Sequence, residues 1–273
     1  MHSDLVFHNH GDFQSLVSEA PQAKGQDYNV DFADSGSLHA RSASRRTTGS
    51  QGLDSLLGGG LPTGSITDVF GAAATGKTQF AFQNAVFACY SSFSGEITDG
   101  RPVVAFVDCA GSFRPERIAE IASARGYDAT KILELISSIA VRSVAEQGRA
   151  SETVLQDDYF SRCRLLIVDD VTTNFVAQLN EPEQLIERQF LLSNYIRRLS
   201  YISLRMGFST LLTNSVRSRG DLGEGETAGK LFSQFAFYRI RFSREGRIRT
   251  AVVEQPLEAR KSTTFEIGTA GIR

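Results

Sequence analysis

The chain has no tryptophan and only three cysteines, two methionines and six prolines among its 273 residues. Cys89, Cys109 and Cys163 lie far apart in the sequence, so they lack the paired spacing of a zinc site and are too few for a disulfide framework. This scarcity favours a reducing, intracellular setting over secretion. Hydrophobic residues make up 41% of the chain, enough to bury a substantial core.

Long hydrophobic runs are also missing. No window approaches the roughly 18 apolar residues that a membrane-spanning helix needs, and the first ten residues lack the basic start and apolar run of a signal peptide. We therefore expect a soluble protein without a membrane partner, in the cytoplasm, or in the nucleus if the source is eukaryotic. The net charge of -2 excludes wrapping of nucleic acid by bulk positive charge, although residues 205–249 carry nine basic and four acidic side chains.

The chain divides into two regions that differ in polarity and in apolar periodicity. Residues 1–45 are polar, without a helical or strand-like apolar period, and are predicted to form a flexible arm. Residues 46–273 alternate short apolar runs with amphipathic stretches, which predicts an α/β core with a mostly parallel central sheet flanked by helices. The predicted strands of this sheet are residues 65–70, 102–108, 164–169 and 208–213.

Helical periodicity fills the gaps between these strands. Helices are predicted from residue 78 to about 90, between Pro115 and Gly126, and from about 183 to 206. Beyond residue 236 the apolar period changes to two, which predicts a C-terminal antiparallel hairpin turning at residues 243–246.

A phosphate-binding loop is the sharpest local signal. Residues 71–78 read Gly-Ala-Ala-Ala-Thr-Gly-Lys-Thr, which matches G-x-x-x-x-G-K-[ST] directly after a predicted strand. In such a loop backbone N–H groups face the phosphates, the lysine reaches the terminal phosphates and the threonine hydroxyl binds magnesium. The predicted nucleotide-binding residues here are Gly71, Ala72, Ala73, Ala74, Thr75, Gly76, Lys77, Thr78 and Gln79.

A second magnesium ligand is expected at the end of another strand. Asp169 ends the apolar run at residues 165–169, and we predict that it completes the Mg²⁺ site with Thr78. Asp170 follows immediately, and because side chains alternate along a strand, both carboxylates cannot point at one metal ion.

The chain resembles the RecA/RadA recombinase family over residues 46–273. The matching segments, in the family's order and spacing, are Thr-Thr-Gly-Ser at 47–50, the glycine-rich stretch at 53–67, the phosphate loop, Phe-Arg-Pro-Glu-Arg at 113–117, the strand at 165–169 and Leu-Thr-Asn at 212–214. The resemblance is to the archaeal and eukaryotic branch, and it implies a RecA-type P-loop fold with ATP and Mg²⁺ as ligands. The arm is too short for that branch's N-terminal helical domain, so we expect a RadB-like paralogue.

The resemblance also shows where the chain departs from its family. It implies that Arg117 stacks near the adenine of the nucleotide. It also implies that Ala110 stands where the family has its catalytic glutamate, and an alanine side chain cannot accept a proton. The family's glutamine that senses the γ-phosphate is replaced by Ser215. No catalytic residue is therefore predicted, although nucleotide binding is expected to persist. Without a general base, the rate of hydrolysis should be about 10²- to 10⁴-fold lower. Glu116 and Asp170 remain alternatives as the base.

Several basic residues are candidates for single-stranded DNA. The family's first DNA loop carries an arginine, but residues 180–184 here are acidic and contain a proline. The second loop, from 215 to about 230, is mixed in sign, and the C-terminal hairpin is basic. The predicted DNA-binding residues are Arg188, Arg217, Arg219, Lys230, Arg239 and Arg241, although a basic stripe also fits a merely solvated face.

Family members assemble by adding a strand to a neighbour's sheet. The matching segment here is Val-Asp-Phe-Ala at 30–33, where valine replaces an anchoring phenylalanine. The expected partners are a full-length recombinase or a second copy of this chain, and an unpaired arm is the alternative.

Three functions remain open from the sequence. The leading one is an ATP-binding recombinase paralogue that assists homologous recombination and DNA repair with weak or absent hydrolysis. The alternative is an active DNA-dependent ATPase and strand-exchange enzyme that uses another base. A third is a P-loop regulator of the clock-protein or helicase-loader type, which would show no salt-dependent binding to single strands.

Overall fold

The computed structural model describes residues 44–92, 100–218, 224–226, 229–257 and 261–273. For residues 217, 218 and 224–226 only the backbone is described. The arm predicted at residues 1–45 lies outside these ranges except for its last two residues.

Most strands of the described residues are short. The strands are β1 (Arg45–Arg46), β2 (Leu61–Pro62), β3 (Ile66–Gly71), β4 (Val104–Asp108), β5 (Ile136–Ala140), β6 (Leu165–Asp169), β7 (Ser209–Ser218), β8 (Glu224–Glu226), β9 (Ala236–Glu245), β10 (Ile248–Gln255), β11 (Ser262–Phe265), β12 (Ile267–Gly268) and β13 (Gly271–Ile272). At the centre of the sheet, β3, β4 and β6 are buried along their whole length.

Helices connect the parallel strands. They are α1 (Gln51–Leu56), α2 (Lys77–Tyr90), α3 (Pro115–Ala124), α4 (Ala129–Glu134), α5 (Val144–Gln156), α6 (Thr173–Gln178), α7 (Leu185–Met206) and α8 (Gly229–Phe235), with 3₁₀ turns at Asp158–Phe160 and Pro182–Gln184. α3 begins at Pro115, as the sequence predicted, because the fixed backbone angle of proline suits a first helical turn. α7 ends at Gly207, which adopts a left-handed conformation with φ of 69°.

Most of the described strands belong to one large sheet. Its strand order is β11-β10-β9-β3-β7-β6-β4-β5, and β8 pairs with β7. The pairs from β9 through β5 are parallel, whereas β9, β10 and β11 pair antiparallel. The α/β class, the mostly parallel sheet and the C-terminal hairpin predicted from the sequence are thereby confirmed. The hairpin turns slightly later than predicted, because β9 continues to Glu245.

The four predicted strands are neighbours at the centre of this sheet. They correspond to β3, β7, β6 and β4, and their boundaries differ from the prediction mainly because β7 extends to Ser218. The carboxyl ends of these parallel strands meet at one edge, where loops carry ligands in open α/β sheets. The phosphate loop, Asp169 and Asp108 all lie at that edge.

α2 is the central helix of the core and is buried along most of its length. The Phe80 ring contacts the Phe242 ring edge-on at 5.6 Å between centroids, and Phe82 lies 5.7 Å from Phe106. Each fully buried phenylalanine contributes about 1.5–3 kcal/mol from removal of apolar surface from water. This packing fixes the start of α2, and with it the phosphate loop, against the sheet.

The three cysteines are buried and not disulfide-bonded. Burial raises the pKa of the Cys163 thiol to about 12. Among the described residues, no helix has the length and apolar character needed to cross a bilayer.

Candidate nucleotide-binding site

The phosphate loop connects β3 to α2 through a backbone path that depends on glycine. A side chain at Gly71 would place its Cβ 2.1 Å from the carbonyl oxygen of Phe242, so β9 approaches the loop too closely for any other residue. Gly76 has φ of 109° and Ala74 has φ of 62°, both in the left-handed region. The Thr75 hydroxyl donates to the Ala72 carbonyl at 2.9 Å and closes the loop on itself.

Lys77 begins α2 and folds its side chain over the loop. Its Nζ donates to the carbonyl oxygens of Gly71 at 2.8 Å and Ala72 at 2.9 Å, and the side chain is buried. Burial lowers the pKa of Lys77 from its ordinary value, while the nearby carboxylates of Asp170 and Asp169 oppose the shift. The Lys77 amine is therefore held against the phosphate loop, where it could contact the terminal phosphates of a nucleotide.

Thr78 and Asp169, which the sequence predicted as metal ligands, lie together. The Thr78 hydroxyl donates to Asp169 at 3.0 Å from Oδ2 and 3.2 Å from Oδ1. Asp169 also accepts from Ser112 Oγ at 2.6 Å and from the Thr213 hydroxyl. Burial raises the pKa of Asp169, and these three hydroxyl donors oppose that shift because they stabilise the carboxylate. A carboxylate beside a threonine hydroxyl is the oxygen donor set that Mg²⁺ takes.

Asp170, which follows the last residue of β6, has hydrogen-bond partners different from those of Asp169. Its Oδ1 accepts from the backbone N–H of Thr172 at 3.1 Å and lies 3.0 Å from the Thr172 hydroxyl. That hydroxyl also lies 3.2 Å from Oδ1 of Asn214 at the end of β7. Asp170 is thus tied to the turn after β6.

The loop after β4 is organised by Asp108, whose carboxylate accepts from the backbone N–H groups of Ser112 at 2.9 Å and Phe113 at 3.1 Å. Ala110 lies exposed in this loop and brings no polar side chain to the site. Sequence reasoning missed Ser112, although its place two residues after Ala110 in the same loop was a usable signal. Ser112 adds a third hydroxyl to those of Thr78 and Thr213 on Asp169.

Arg117 reaches from α3 to the side of the phosphate loop. Its Nε donates to Oε1 of Gln79 at 2.7 Å, so two of the predicted nucleotide-binding residues are in contact. Its other donors reach the carbonyl oxygens of Gly268 at 2.6 Å and Thr269 at 3.1 Å and form an ion pair with Glu120. The guanidinium therefore has a fixed plane between α2 and the C-terminal segment.

That C-terminal segment, β12 and β13, was not foreseen as part of the site. Oε1 of Gln83 accepts from the backbone N–H of Ile272 at 2.6 Å, and Nε2 of Gln83 donates to the Thr48 carbonyl at 2.7 Å. The β12–β13 pair lies so close to the phosphate loop that a Cβ on Gly76 would come within 2.8 Å of the Ile267 side chain. Beside it is a cavity of about 530 Å³ lined by Ile248, Thr264, Phe265, Glu266, Ile267, Gly268 and Arg273.

The predicted DNA-binding residues are distributed unevenly. Lys230 is exposed on α8, and Arg241 is half exposed and pairs with Glu254 at 2.6 Å. Arg188 donates to the Leu179 carbonyl at 2.7 Å. Arg219 and the side chain of Arg217 lie outside the described residues.

Arg239 requires a correction. The sequence predicted Arg239 and Arg241 as DNA-binding residues of the basic hairpin, and both guanidinium groups lie over the Phe70 ring, at 4.5 and 5.4 Å. Arg239, however, is only 5% exposed and forms an ion pair with Asp68 at 3.0 Å. The physical reason is that Asp68 and Phe70 of β3 and Ser233 of α8 surround the guanidinium, so Arg239 is a core residue and does not offer its charge to DNA.

Comparison with known proteins agrees with this geometry. A sequence model of the family described as Rad51 matches residues 39–273. The chain belongs to the RecA/RadA recombinase family. Proteins named DNA repair and recombination protein RadA are similar to it: 31% identical in Cenarchaeum symbiosum over 89% of this chain, 31% in Metallosphaera sedula over 85%, and 30% in Aeropyrum pernix over 95%.

The matched segments cover 62%, 73% and 82% of these relatives, respectively, so the chain spans less than two thirds of the Cenarchaeum protein. Membership of the RecA/RadA family accounts for the resemblance seen at the phosphate loop and at residues 113–117.

Proposed function

We propose that this chain is an ATP-binding recombinase paralogue that assists homologous recombination and DNA repair, with weak or absent hydrolysis. The observation that supports the proposal is that the residues expected to bind phosphate and metal lie together, while the position expected to hold the catalytic carboxylate is an alanine. Lys77, Thr78 and Asp169 are assembled with their hydrogen-bond partners, whereas Ala110 brings no carboxylate to the same edge of the sheet.

The residues present fit ATP and Mg²⁺. The glycine-dependent loop presents backbone N–H groups at the start of α2, and Lys77 supplies a buried cation. Thr78 and Asp169 would hold Mg²⁺, and Gln79 and Arg117 lie on the side where the phosphate loop meets the β12–β13 segment. When bound, the metal neutralises phosphate charge.

Hydrolysis should be slow because no carboxylate of the described residues replaces the one missing at residue 110. Asp170 is held by Thr172, and Glu116 is exposed in the first turn of α3. Loss of a general base costs about 10²- to 10⁴-fold in rate. The departures at Ala110 and Ser215 together favour a RadB-like paralogue in which nucleotide acts as a conformational ligand.

Single-stranded DNA is the proposed nucleic-acid partner. Arg241, Arg244 and Arg247 are exposed on the C-terminal hairpin, and Lys230 is exposed on α8. In contrast, Glu181 and Glu183 are exposed before α7, where they would repel phosphate. We therefore propose DNA contact through the hairpin, with moderate affinity.

A full-length recombinase or a second copy is the proposed protein partner of the arm at residues 1–45. β5 ends the sheet of the described residues on one side, and its backbone edge can accept an added strand. The segment at residues 30–33 is the proposed strand, and residues 46–273 are the proposed ATP-binding core.

Nucleotide binding and turnover, measured on the same protein, test this function. Titration with a fluorescent ATP analogue and Mg²⁺ should show saturable binding that is lost in Lys77→Ala, while phosphate release stays near background with or without single-stranded DNA. A Lys131→Ala variant, which changes an exposed lysine on α4, is the matched control and should bind normally. DNA-stimulated turnover typical of an active recombinase would contradict the accessory role, and absent binding would contradict the nucleotide site.

A further inference from the structure

The outward face of α7 carries an apolar stripe that no described residue covers. Four large side chains on it are strongly exposed: Ile186 at 81%, Phe190 at 59%, Tyr201 at 50% and Leu204 at 56%. At 100° per residue these positions fall within an arc of about 60°, so they form one stripe about 27 Å long. The opposite face, which includes Leu192, Ile196 and Leu199, packs on the sheet and the neighbouring helices.

Charge along this stripe changes sign from one end to the other. Glu183 and Glu187 are exposed near the first half, whereas Arg197 and Arg205 are exposed on the second half. Arg198 lies beside Tyr201, with its guanidinium 5.0 Å from the ring centre, but its charge is paired with Glu152 of α5 at 2.5 Å, so Arg197 and Arg205 supply the basic character. The same helix face is therefore acidic and apolar at its start and basic and apolar at its end.

We propose that two copies of this chain associate through this face, with their α7 helices antiparallel. Phe190 of each copy then lies opposite Tyr201 of the other, Ile186 opposite Leu204, and Glu187 opposite Arg205. The midpoints of these three pairings run from residue 195 to residue 196, so a single two-fold axis there satisfies all three to within about one residue. A symmetric pair of this kind is self-complementary and closed, which is the commonest form of soluble oligomer.

Other occupants match only part of the stripe. Nucleic acid would be repelled by Glu183 and Glu187, and the arm at residues 1–45, with six acidic and three basic residues, suits only the basic half. A parallel pair of α7 helices would place Glu187 against Glu187. The antiparallel second copy satisfies both halves at once. Because a single helix face buries little area, below about 1,200 Å² in total, the dimer should be weak and concentration-dependent.

Sedimentation over a range of protein concentrations is the first test. The wild-type chain should shift from monomer to dimer, and the shift should weaken at high salt because the charge pairs are exposed. A Phe190→Ser/Tyr201→Ser variant should remain monomeric, whereas Tyr159→Ser, which changes a similarly exposed aromatic on another surface, should still dimerise. A monomer at every concentration, or a dimer that survives Phe190→Ser/Tyr201→Ser, overturns the proposal.

Oxidative cross-linking tests the register. Ile186→Cys mixed with Leu204→Cys should give a disulfide-linked dimer, since antiparallel packing brings these positions together, whereas neither variant alone should cross-link because its two copies lie about 27 Å apart. The native cysteines are buried and give little background. Cross-linking of Ile186→Cys with itself would indicate a parallel pair and overturn the proposal. Loss of single-stranded DNA binding in Phe190→Ser/Tyr201→Ser without any change in mass would assign the stripe to nucleic acid instead.

Discussion

Asp68 and Arg239 form a buried ion pair between β3, which leads into the phosphate loop, and β9. Removing one charge leaves the other buried without its partner, so Arg239→Gln should lower the free energy of unfolding by about 3–5 kcal/mol. Urea denaturation measures this. The exposed Arg241→Gln should cost less than about 1 kcal/mol because its ion pair with Glu254 is solvated.

An Asp68→Leu/Arg239→Met variant separates the pair from its surroundings. Replacing both charges by apolar side chains removes the uncompensated charge, so this variant should recover most of the lost stability. A double variant as unstable as Arg239→Gln would show that the ion pair itself is not the source of the effect.

Ala110 is the residue at which the site departs most from an active ATPase. Restoring a carboxylate there in Ala110→Glu should raise phosphate release, by up to about 10²-fold if general-base catalysis is the missing contribution. ATP affinity should change little, because Lys77, Thr78 and Asp169 are untouched. Ala110→Gln has nearly the same size and no basic carboxylate, so it is the control. Equal rates in Ala110→Glu and Ala110→Gln would contradict this explanation.

At the scale of elements, the β12–β13 pair depends on one buried side chain of α2. Gln83 is fully buried and links Ile272 in β13 to Thr48 through its amide group. Gln83→Met keeps the volume but leaves both backbone groups without their partner, which should cost about 1–3 kcal/mol. Hydrogen exchange should accelerate at the Ile272 amide.

The same variant should weaken nucleotide binding modestly, since Arg117 positions its guanidinium on the carbonyl oxygens of the β12–β13 segment. Asn84→Leu removes a neighbouring buried amide that donates to the Phe80 carbonyl within α2, so it is the control for general loosening of the helix. An unchanged exchange rate at Ile272 in Gln83→Met would contradict the proposed role of Gln83.

The elements differ in how readily the sequence predicts them. β4 and β6 could be located because both faces of a central parallel strand are buried, which leaves an unbroken apolar run. β12 and β13 have two residues each, and their pairing depends on Gln83 and Arg125, which lie about 150 or more residues away. The burial of Arg239 was missed for the same reason: alternation gives the face of a strand but not what covers it.

At the scale of the whole molecule, the near-neutral net charge is an average that includes a basic patch on the β9–β10 hairpin. Arg244 and Arg247 are exposed at the hairpin turn, and Arg241 is half exposed nearby. If these arginines contact phosphates of single-stranded DNA, each contact releases counterions and contributes about 0.7 to the slope of log affinity against log salt concentration. Arg244→Ala/Arg247→Ala should therefore weaken binding and lower that slope by about 1.4.

Fluorescence anisotropy of a labelled oligonucleotide at several salt concentrations measures this slope. Arg149→Ala, which removes an exposed charge from α5, should leave the slope unchanged because α5 does not belong to the hairpin edge. Binding should also be insensitive to base sequence, since phosphate contacts carry no sequence information. A slope that falls equally in Arg149→Ala and in Arg244→Ala/Arg247→Ala would mean that only the overall charge matters, and the hairpin would then lose its assignment as the DNA-facing element.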